Sequence, residues 1–142
     1  MAEKKNEETP QRVAVVTGAS RGIGRAIALK LAADGHIVVL VSRSEESLRS
    51  VQEEITSAGG RAEVRAVDVG DGEALSAMIE EVGSTLGRLD ILVNNAGITR
   101  DGLILRMSDA DFDDIIRVNL RSPFIACRAA ARSMMRGRWG RI

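Results

Sequence analysis

A glycine-rich segment follows the first apolar run and constrains the fold of this chain more than any other feature. The segment is Thr-Gly-Ala-Ser-Arg-Gly-Ile-Gly at residues 17–24, and four apolar residues, 13–16, lead into it. Ile23, Ile27 and Leu31 then recur at helical spacing, so the pattern predicts a buried strand, a tight turn and a helix with an apolar stripe. The free N–H groups and the dipole at the start of such a helix favour a bound diphosphate.

The glycines of this segment can each be given a task. Gly18 allows the sharp exit from the strand, Gly22 lets the backbone approach phosphates, and Gly24 lets the helix pack closely on the sheet. Their spacing, Gly-x3-Gly-x-Gly, differs from the more usual Gly-x-Gly-x-x-Gly. An ordinary tight turn is the alternative interpretation, and the flanking strand and helix patterns favour a nucleotide site over it.

Length, charge and composition exclude several classes of protein. The chain has 142 residues, enough for one domain with a sizeable core. Its 20 Lys and Arg residues balance its 20 Asp and Glu residues, so charge gives no argument for a nucleic acid or membrane partner. Neither a run of about 18 apolar residues nor a signal-peptide segment is present in the sequence. We therefore expect a soluble cytoplasmic protein, with residues 1–10 as a flexible tail.

The metal-ligating and redox-active residue types are sparse. Cys127 is the single cysteine, which excludes an intramolecular disulfide and a cysteine-cluster metal site. It lies among alanines and is predicted to be buried and unreactive. The single histidine, His36, is expected to be structural. Nothing in the sequence indicates a metal.

Strand and helix patterns alternate along the rest of the chain. Apolar runs at residues 36–41, 64–67 and 89–93 predict three more strands, and Ser44, Asp71 and Ser108 stand where helix caps are needed. This alternation predicts an α/β fold, the Rossmann-type doubly wound parallel sheet. Residues 139–142 resemble the start of a fifth strand. We therefore expect residues 11–142 to form the N-terminal part of a single dinucleotide-binding domain, truncated after strand four or at the start of strand five.

Pro123 disturbs the last helical pattern. It lies four residues after Asn119 and cannot donate to the Asn119 carbonyl if one helix runs through. Alternatively, Ser122 and Pro123 begin a second helix. Either arrangement interrupts the hydrogen-bond ladder near Asn119 and leaves its carbonyl available for water or ligand. Four apolar residues before the proline are expected to make helix contacts: Phe112, Ile115, Ile116 and Leu120.

Three parts of the chain together resemble the short-chain dehydrogenase/reductase family: residues 17–24, the Asn-Asn-Ala-Gly at residues 94–97, and Asn119. Within that family, residues 95–101 followed by Leu105-Arg106-Met107 are similar to the bacterial 3-oxoacyl-[acyl-carrier-protein] reductases. Acetoacetyl-CoA reductases and sugar dehydrogenases share much of this pattern. The resemblance covers Arg12 to Ile142 and implies hydride transfer between a nicotinamide cofactor and a carbonyl group.

The resemblance also implies a role for individual residues. The positions that would hold the pyrophosphate side of the cofactor are Gly18, Ala19, Ser20, Arg21, Gly22, Ile23 and Gly24. The positions that take the adenine are Asp68 and Val69. The positions that line the ribose are Asn95, Ala96 and Gly97. Asn94 would tie the central strands together. Asn119 matches the catalytic asparagine of the family, whose backbone helps to hold a water in a proton relay.

Charge at the end of strand two predicts which cofactor is used. A carboxylate there would pair with a free ribose 2′-hydroxyl, but this chain has Val41-Ser42-Arg43 at that point and Arg21 in the glycine-rich turn. Guanidinium groups suit bidentate recognition of a 2′-phosphate. These residues therefore predict NADPH, with a merely solvated Arg43 as the alternative.

The family's other catalytic positions are missing from this chain. The resemblance implies a serine after strand five and a Tyr-x-x-x-Lys pair beyond it, but the chain has no tyrosine, and its last lysine is Lys30. Only Asn119 of the four catalytic positions is present, so we expect the chain alone to be inactive. We also expect exposed apolar surface near Ile91, Val93, Phe124 and Ile125, with poor solubility or self-association.

Residues 121–142 include six arginines and no acidic residue. A solvated helix face and a docking surface for an acidic carrier protein are compatible interpretations. Arg138 matches an arginine that contributes to such docking in the reductases this chain resembles. The resemblance thus implies an acyl carrier protein or coenzyme A thioester as substrate and a homo-oligomer, commonly a tetramer. Besides a reductase part, a nucleotide-binding module without catalysis and a fragment that assembles with a partner chain remain open.

Overall fold

The computed structural model describes residues 10–142, so residues 1–9 of the predicted tail lie outside the described residues. The strands are β1 (Val13–Thr17), β2 (Ile37–Ser42), β3 (Arg61–Ala66) and β4 (Ile91–Val93). The helices are α1 (Gly22–Ala33), α2 (Glu45–Ser57), α3 (Gly72–Thr85), α4 (Asp109–Ile116) and α5 (Ser122–Gly137). A short 3-10 helix, Ile104–Arg106, precedes α4, and a π-helical turn, Arg117–Arg121, joins α4 to α5.

The strands form a parallel sheet in the order β3-β2-β1-β4. The order reverses between β1 and β4, and in open α/β sheets ligands bind in the crevice beyond the carboxyl ends of such a strand pair. Arg141 pairs with Ile91 on the free side of β4 through a single parallel bridge. The predicted fold class is therefore confirmed, and residues 139–142 begin to add a further strand beside β4.

Helices cover both faces of the sheet, and each face has its own apolar core. One core joins β-strand side chains such as Val15 and Val39 to α3 and α5, and the other joins Val38 and Leu40 to α2 and the small residues of α1. Because both faces are covered, β1 and β2 are apolar at nearly every position rather than at alternate ones.

The helix caps are where the sequence predicts them. Ser44 Oγ accepts a hydrogen bond from the Ser47 N–H at 3.3 Å, and Asp71 accepts one from the Ala74 N–H at 3.1 Å. Ser108 begins α4 with a reciprocal capping box that includes Asp111. These local predictions are confirmed because a cap depends on a few adjacent residues.

The apolar stripe predicted for α1 is only partly confirmed, since Ile27 and Leu31 are half-buried against the core but Ile23 is not. Ile23 is 74% exposed, whereas the residues that α1 buries are Gly24, Ala28 and Ala32. An added Cβ at Gly24 would overlap the Gly18 carbonyl oxygen and the Asn95 amide nitrogen. The helix therefore lies so close to the strand ends that only small residues fit on its inner face.

Pro123 does not break the helix. The chain remains helical from α4 into α5, and the Ser122 N–H donates to the Arg117 carbonyl five residues earlier. The Ser122 hydroxyl is not a cap, since it donates to the Val118 carbonyl oxygen at 2.7 Å inside the helix. The π-helical turn thus shifts the ladder by one residue just before the proline that cannot take part in it.

The apolar contacts predicted around this helix are partly wrong. Phe112, Ile116 and Leu120 are exposed, contrary to the prediction, whereas Ile115 is half-buried. Ile125 is 7% exposed and belongs to the core, contrary to the prediction, while Phe124 is 60% exposed as predicted. Cys127 is half-buried rather than fully buried. Among the helices of residues 10–142, none has the length and apolar composition needed to span a bilayer.

Candidate functional site

The turn after β1 has the backbone conformation that its glycines allow. Gly18 and Gly22 have φ values of +65° and +56°, in the left-handed region that other residues avoid. A Cβ at Gly18 would lie 2.8 Å from the Asn95 amide nitrogen, whereas one at Gly22 would meet nothing within 4 Å. Gly18 therefore serves close packing between the two strand ends, and the Gly22 backbone faces open space that a ligand can enter.

The start of α1 has free hydrogen-bond donors. Arg21 precedes the helix with no side-chain cap, and the first turn contains no acidic residue. By contrast, α2, α3 and α4 each have a Ser or Asp side chain over their first N–H groups. The uncapped N–H groups and the helix dipole at α1 suit a phosphate or diphosphate group.

Thr17 and Asn95 hold the carboxyl ends of β1 and β4 together. The Thr17 hydroxyl oxygen accepts hydrogen bonds from the Asn95 and Ala96 N–H groups, both at 3.0 Å. The Asn95 side chain donates to the Thr17 and Gly18 carbonyl oxygens at 3.0 and 3.2 Å. Sequence reasoning gave Thr17 no role, although a buried hydroxyl at the strand end is a signal that it has a partner.

Asn94 does not tie the central strands together as expected. Its side-chain amide points toward α5, 3.6 Å from the Cys127 sulfur. Side chains alternate between the faces at a strand end, so only one of two adjacent asparagines can reach β1. That residue is Asn95, which the resemblance placed at the ribose.

A hydrogen bond to β2 holds the middle of the glycine-rich turn in place. The Ala19 N–H donates to the Val41 carbonyl oxygen at 3.1 Å, and Ala19 is fully buried. Arg21 and Arg43 are exposed, and within residues 10–142 neither side chain has a hydrogen bond or ion pair. Two guanidinium groups are therefore available at the edge where β1 and β2 end.

The loop after β3 contains the predicted adenine positions. Val69 is buried, and Asp68 is exposed with its Oδ1 accepting the Gly70 N–H at 2.9 Å. Because β3 is parallel to the other strands, this loop lies at the same edge of the sheet as the glycine-rich turn.

Asn119 lies in the π-helical turn and is bonded to the loop after β4. Its Oδ1 accepts from the Ile98 N–H and its Nδ2 donates to the Ile98 carbonyl, both at 2.8 Å. The side chain also contacts Gly97, where an added Cβ would lie 3.4 Å from Oδ1. The structure thus brings Asn119 to Gly97, next to the residues that follow β4.

A group of charges that sequence reasoning missed lies beside this loop. Asp114 accepts from Arg100 Nη2 at 2.8 Å and forms an ion pair with Arg117. Arg117 is the main cause of a pKa for Asp114 below its ordinary value, and Arg100 adds to it. The i, i+3 spacing of Asp114 and Arg117 on one helix is the signal that could have revealed this pair.

Arg138 lies away from the other predicted residues. It ends α5 in a left-handed conformation with φ of 51° and is exposed. The chain after it pairs with the beginning of β4, so Arg138 is at the amino edge of the sheet and not at the carboxyl edge. Among the described residues, no group of three or more His, Cys, Asp or Glu side chains is arranged to hold a metal ion.

Comparison with known proteins identifies the family. The sequence profile of the short chain dehydrogenase family matches residues 12–142. The chain belongs to the short-chain dehydrogenase/reductase family, which is a family of oxidoreductases.

The similar proteins include bacterial reductases. The 3-oxoacyl-[acyl-carrier-protein] reductase FabG of Staphylococcus aureus is 47% identical over 130 residues, which are 91% of this chain and 53% of that protein. The protein of the same name from Escherichia coli is 44% identical over 131 residues, 92% of this chain and 52% of that protein. This chain therefore spans about half the length of the curated relatives it matches.

Solved structures share the fold over nearly the whole chain. A metagenomic short-chain oxidoreductase in complex with NADP has a TM-score of 0.90 and 46% identity, over 94% of this chain and 61% of that one. An alcohol dehydrogenase from Thermococcus sibiricus complexed with 5-hydroxy-NADP has a TM-score of 0.84 and 34% identity, over 89% of this chain and 55% of that one.

Proposed function

We propose that this chain is the nucleotide-binding part of an NADPH-dependent oxidoreductase that reduces a 3-oxoacyl thioester to the 3-hydroxyacyl form. The observation that carries the proposal is the start of α1, where the N–H groups are uncapped and the Gly22 backbone is open. The guanidinium groups of Arg21 and Arg43 lie at the same edge of the sheet and have no ion pair within residues 10–142. The relatives named 3-oxoacyl-[acyl-carrier-protein] reductase support the substrate class, and the neighbours solved with NADP or its analogue support the cofactor.

The proposed roles follow the positions of the residues. The backbone of residues 18–24 would bind the pyrophosphate, and Arg21 and Arg43 would pair with the 2′-phosphate. Asp68 and Val69 would hold the adenine, and residues 95–97 would line the ribose. When bound, the nucleotide supplies a hydride. Asn119 uses its side chain to hold Ile98, so its contribution to a proton relay would come from its backbone carbonyl.

Nucleotide binding by the 142-residue chain tests the cofactor proposal. We expect calorimetry to show that Arg43→Ala weakens NADPH binding by about ten- to a hundredfold and leaves NADH binding unchanged, since a hydrogen bond to a charged group is worth roughly 1.5–3 kcal/mol. Arg49→Ala is the matched control because Arg49 is exposed and pairs with Glu45 on α2. Equal NADPH affinity in the Arg43 variant and the unaltered chain would refute the role of Arg43, and failure of the unaltered chain to bind NADPH would refute the site.

The activity is tested by the coding DNA beyond the Ile142 codon and by the product that it encodes. A frame that continues through a serine to Tyr-x-x-x-Lys, with a product that oxidises NADPH in the presence of a 3-oxoacyl thioester, supports the proposal. The 142-residue chain itself is expected to bind NADPH without oxidising it. A product that reduces simple ketones but not 3-oxoacyl thioesters would favour the alcohol dehydrogenases among its structural neighbours.

The proposal includes a homo-oligomer and an acidic carrier protein as partners. Apolar side chains on the α4–α5 helix are exposed in this chain: Phe112, Leu120, Phe124 and Met135. The helix α4 has four aspartates and no basic residue, and α5 has three arginines and no acidic residue, so two antiparallel copies of this helix would have complementary charges. Arg138, exposed at the amino edge of the sheet, remains the proposed contact for a carrier protein.

A further inference from the structure

Arg117 connects two loops at the carboxyl edge of the sheet. It is the first residue of the π-helical turn, and its guanidinium pairs with Asp114 one turn earlier on the helix. Asp114 also accepts the hydrogen bond from Arg100, which belongs to the loop after β4. On this side, Arg117 is therefore anchored to α4 and to the β4 loop through one carboxylate.

On its other side, Arg117 contacts the loop after β3. A Cβ added at Gly70 would lie 2.8 Å from the Arg117 Cζ, so the guanidinium lies directly against the Gly70 backbone. The Gly70 N–H donates to Asp68 Oδ1, and within residues 10–142 the second oxygen of Asp68 has no hydrogen-bond partner. The pKa of Arg117 is raised above its ordinary value, chiefly by the hydrogen bond to Asp114, with added attraction from Asp68.

We infer that Arg117 is a positioning residue for the purine end of the nucleotide, because it holds the turn of residues 68–70 in place. The inference rests on the proposed function, in which Asp68 and Val69 take the adenine. A planar guanidinium that a carboxylate orients is a rigid support, and a turn that is ordered before binding loses less entropy when the ligand arrives. Arg117 would thus act through Asp68 and not through the phosphates.

Removal of the Arg117 side chain should weaken nucleotide binding without lowering the free energy of unfolding. The side chains of Arg117 and Asp114 are 43% and 26% exposed, and ion pairs at the surface contribute little to stability. A merely structural role would instead lower the free energy of unfolding. The two roles can therefore be separated by measuring both quantities on the same variants.

The test uses the 142-residue chain with NADPH and with 2′,5′-ADP, which contains only the adenosine half. Arg117→Ala is expected to weaken both ligands by the same factor, about five- to tenfold, with no change in the urea midpoint. Arg132→Ala is the matched control, because Arg132 is exposed on α5, lies outside the cavity beside residues 69–70 and has no ion pair among the described residues. It should change either affinity less than twofold.

Gly70→Ala removes the same contact from the other partner. The new methyl group would displace the Arg117 guanidinium from its place against residue 70, and Gly70 is not among the glycines with positive φ, so its backbone accepts alanine. This variant should weaken NADPH as Arg117→Ala does and should have little further effect when both changes are combined.

The outcomes separate this inference from the proposed function. An unchanged affinity in Arg117→Ala, additive losses in the double variant, or a loss matched by destabilisation would overturn the role of Arg117 and leave the nucleotide site standing. No binding of NADPH by the unaltered chain would overturn both.

Discussion

Replacement of Gly24 by alanine tests whether the close approach of α1 to the strand ends holds this fold together. The new Cβ would lie 2.8 Å from the Gly18 carbonyl carbon and would overlap the Gly18 oxygen and the Asn95 amide nitrogen. Two of these atoms belong to the backbone, so no side-chain rotation can relieve the overlap. The helix would have to move away from β1, and the Asn95 hydrogen bonds to Thr17 and Gly18 would lengthen.

The expected loss is the balance of three contributions. Overpacking of a well-packed site costs about 1–3 kcal/mol. Weakening the two Asn95 hydrogen bonds costs about 1 kcal/mol or more in total. The higher helix propensity of alanine relative to glycine offsets roughly 1 kcal/mol of this loss in the free energy of unfolding. The sum predicts that Gly24→Ala lowers the free energy of unfolding by about 1–3 kcal/mol.

The measurement is urea unfolding followed by circular dichroism and by the fluorescence of Trp139, the single tryptophan. Gly83→Ala is the matched control, since Gly83 lies within α3 and its added Cβ would make only ordinary contacts at 3.5 Å with Ser133. That variant should be more stable than the unaltered chain, by up to about 1 kcal/mol. If Gly24→Ala is as stable as Gly83→Ala, the close packing described here does not limit the fold.

Two further substitutions test the hydrogen bonds at opposite ends of β1. Thr17→Val keeps the shape of the side chain but leaves the Ala96 N–H without its acceptor, whereas the Asn95 N–H keeps its second acceptor, the Val93 carbonyl oxygen at 3.1 Å. We expect a loss of about 1–3 kcal/mol in urea unfolding, with Thr17→Ser close to the unaltered chain. The carboxylate of Asp90 is buried, which by itself raises its pKa, but hydrogen bonds from Arg88 and the Val13 N–H outweigh burial and leave that pKa below its ordinary value. The ionised Asp90 therefore stabilises the fold fully above its unfolded pKa, about 3.9, and this stabilisation is lost as the pH falls through the lower pKa of the folded state. We expect Asp90→Asn to have a lower free energy of unfolding at neutral pH and to lose less of it on acidification. Identical pH profiles for these two chains would contradict this account of Asp90.

Much of the architecture was predictable because it depends on neighbours in the chain. Apolar runs of four and five residues mark β1 and β2, and a serine or aspartate caps α2, α3 and α4 within three residues of its partner. The alternation of these elements restricts the sheet to a parallel, doubly wound order. The glycine-rich turn was predictable for the same reason, since its backbone conformation is a local property.

The arrangement of the site depended on packing between distant elements. Helical spacing cannot show that α1 buries Gly24, Ala28 and Ala32 and leaves Ile23 in solvent, because the choice of face depends on how near the sheet lies. Nor can it distinguish Asn95 from Asn94, since which asparagine reaches β1 depends on the face that each side chain takes.

The region around Asn119 also combines a feature that the sequence predicts with one that depends on packing. Pro123 by its covalent structure requires a disturbance of the helix ladder, and the sequence alone predicts that disturbance. Whether the chain breaks or continues through a π-helical turn depends on packing, which here buries Val118 and Ser122 and brings Asn119 to Ile98. Local geometry therefore determines where elements begin and end, while the contacts between elements determine which side chains meet at the carboxyl edge of the sheet.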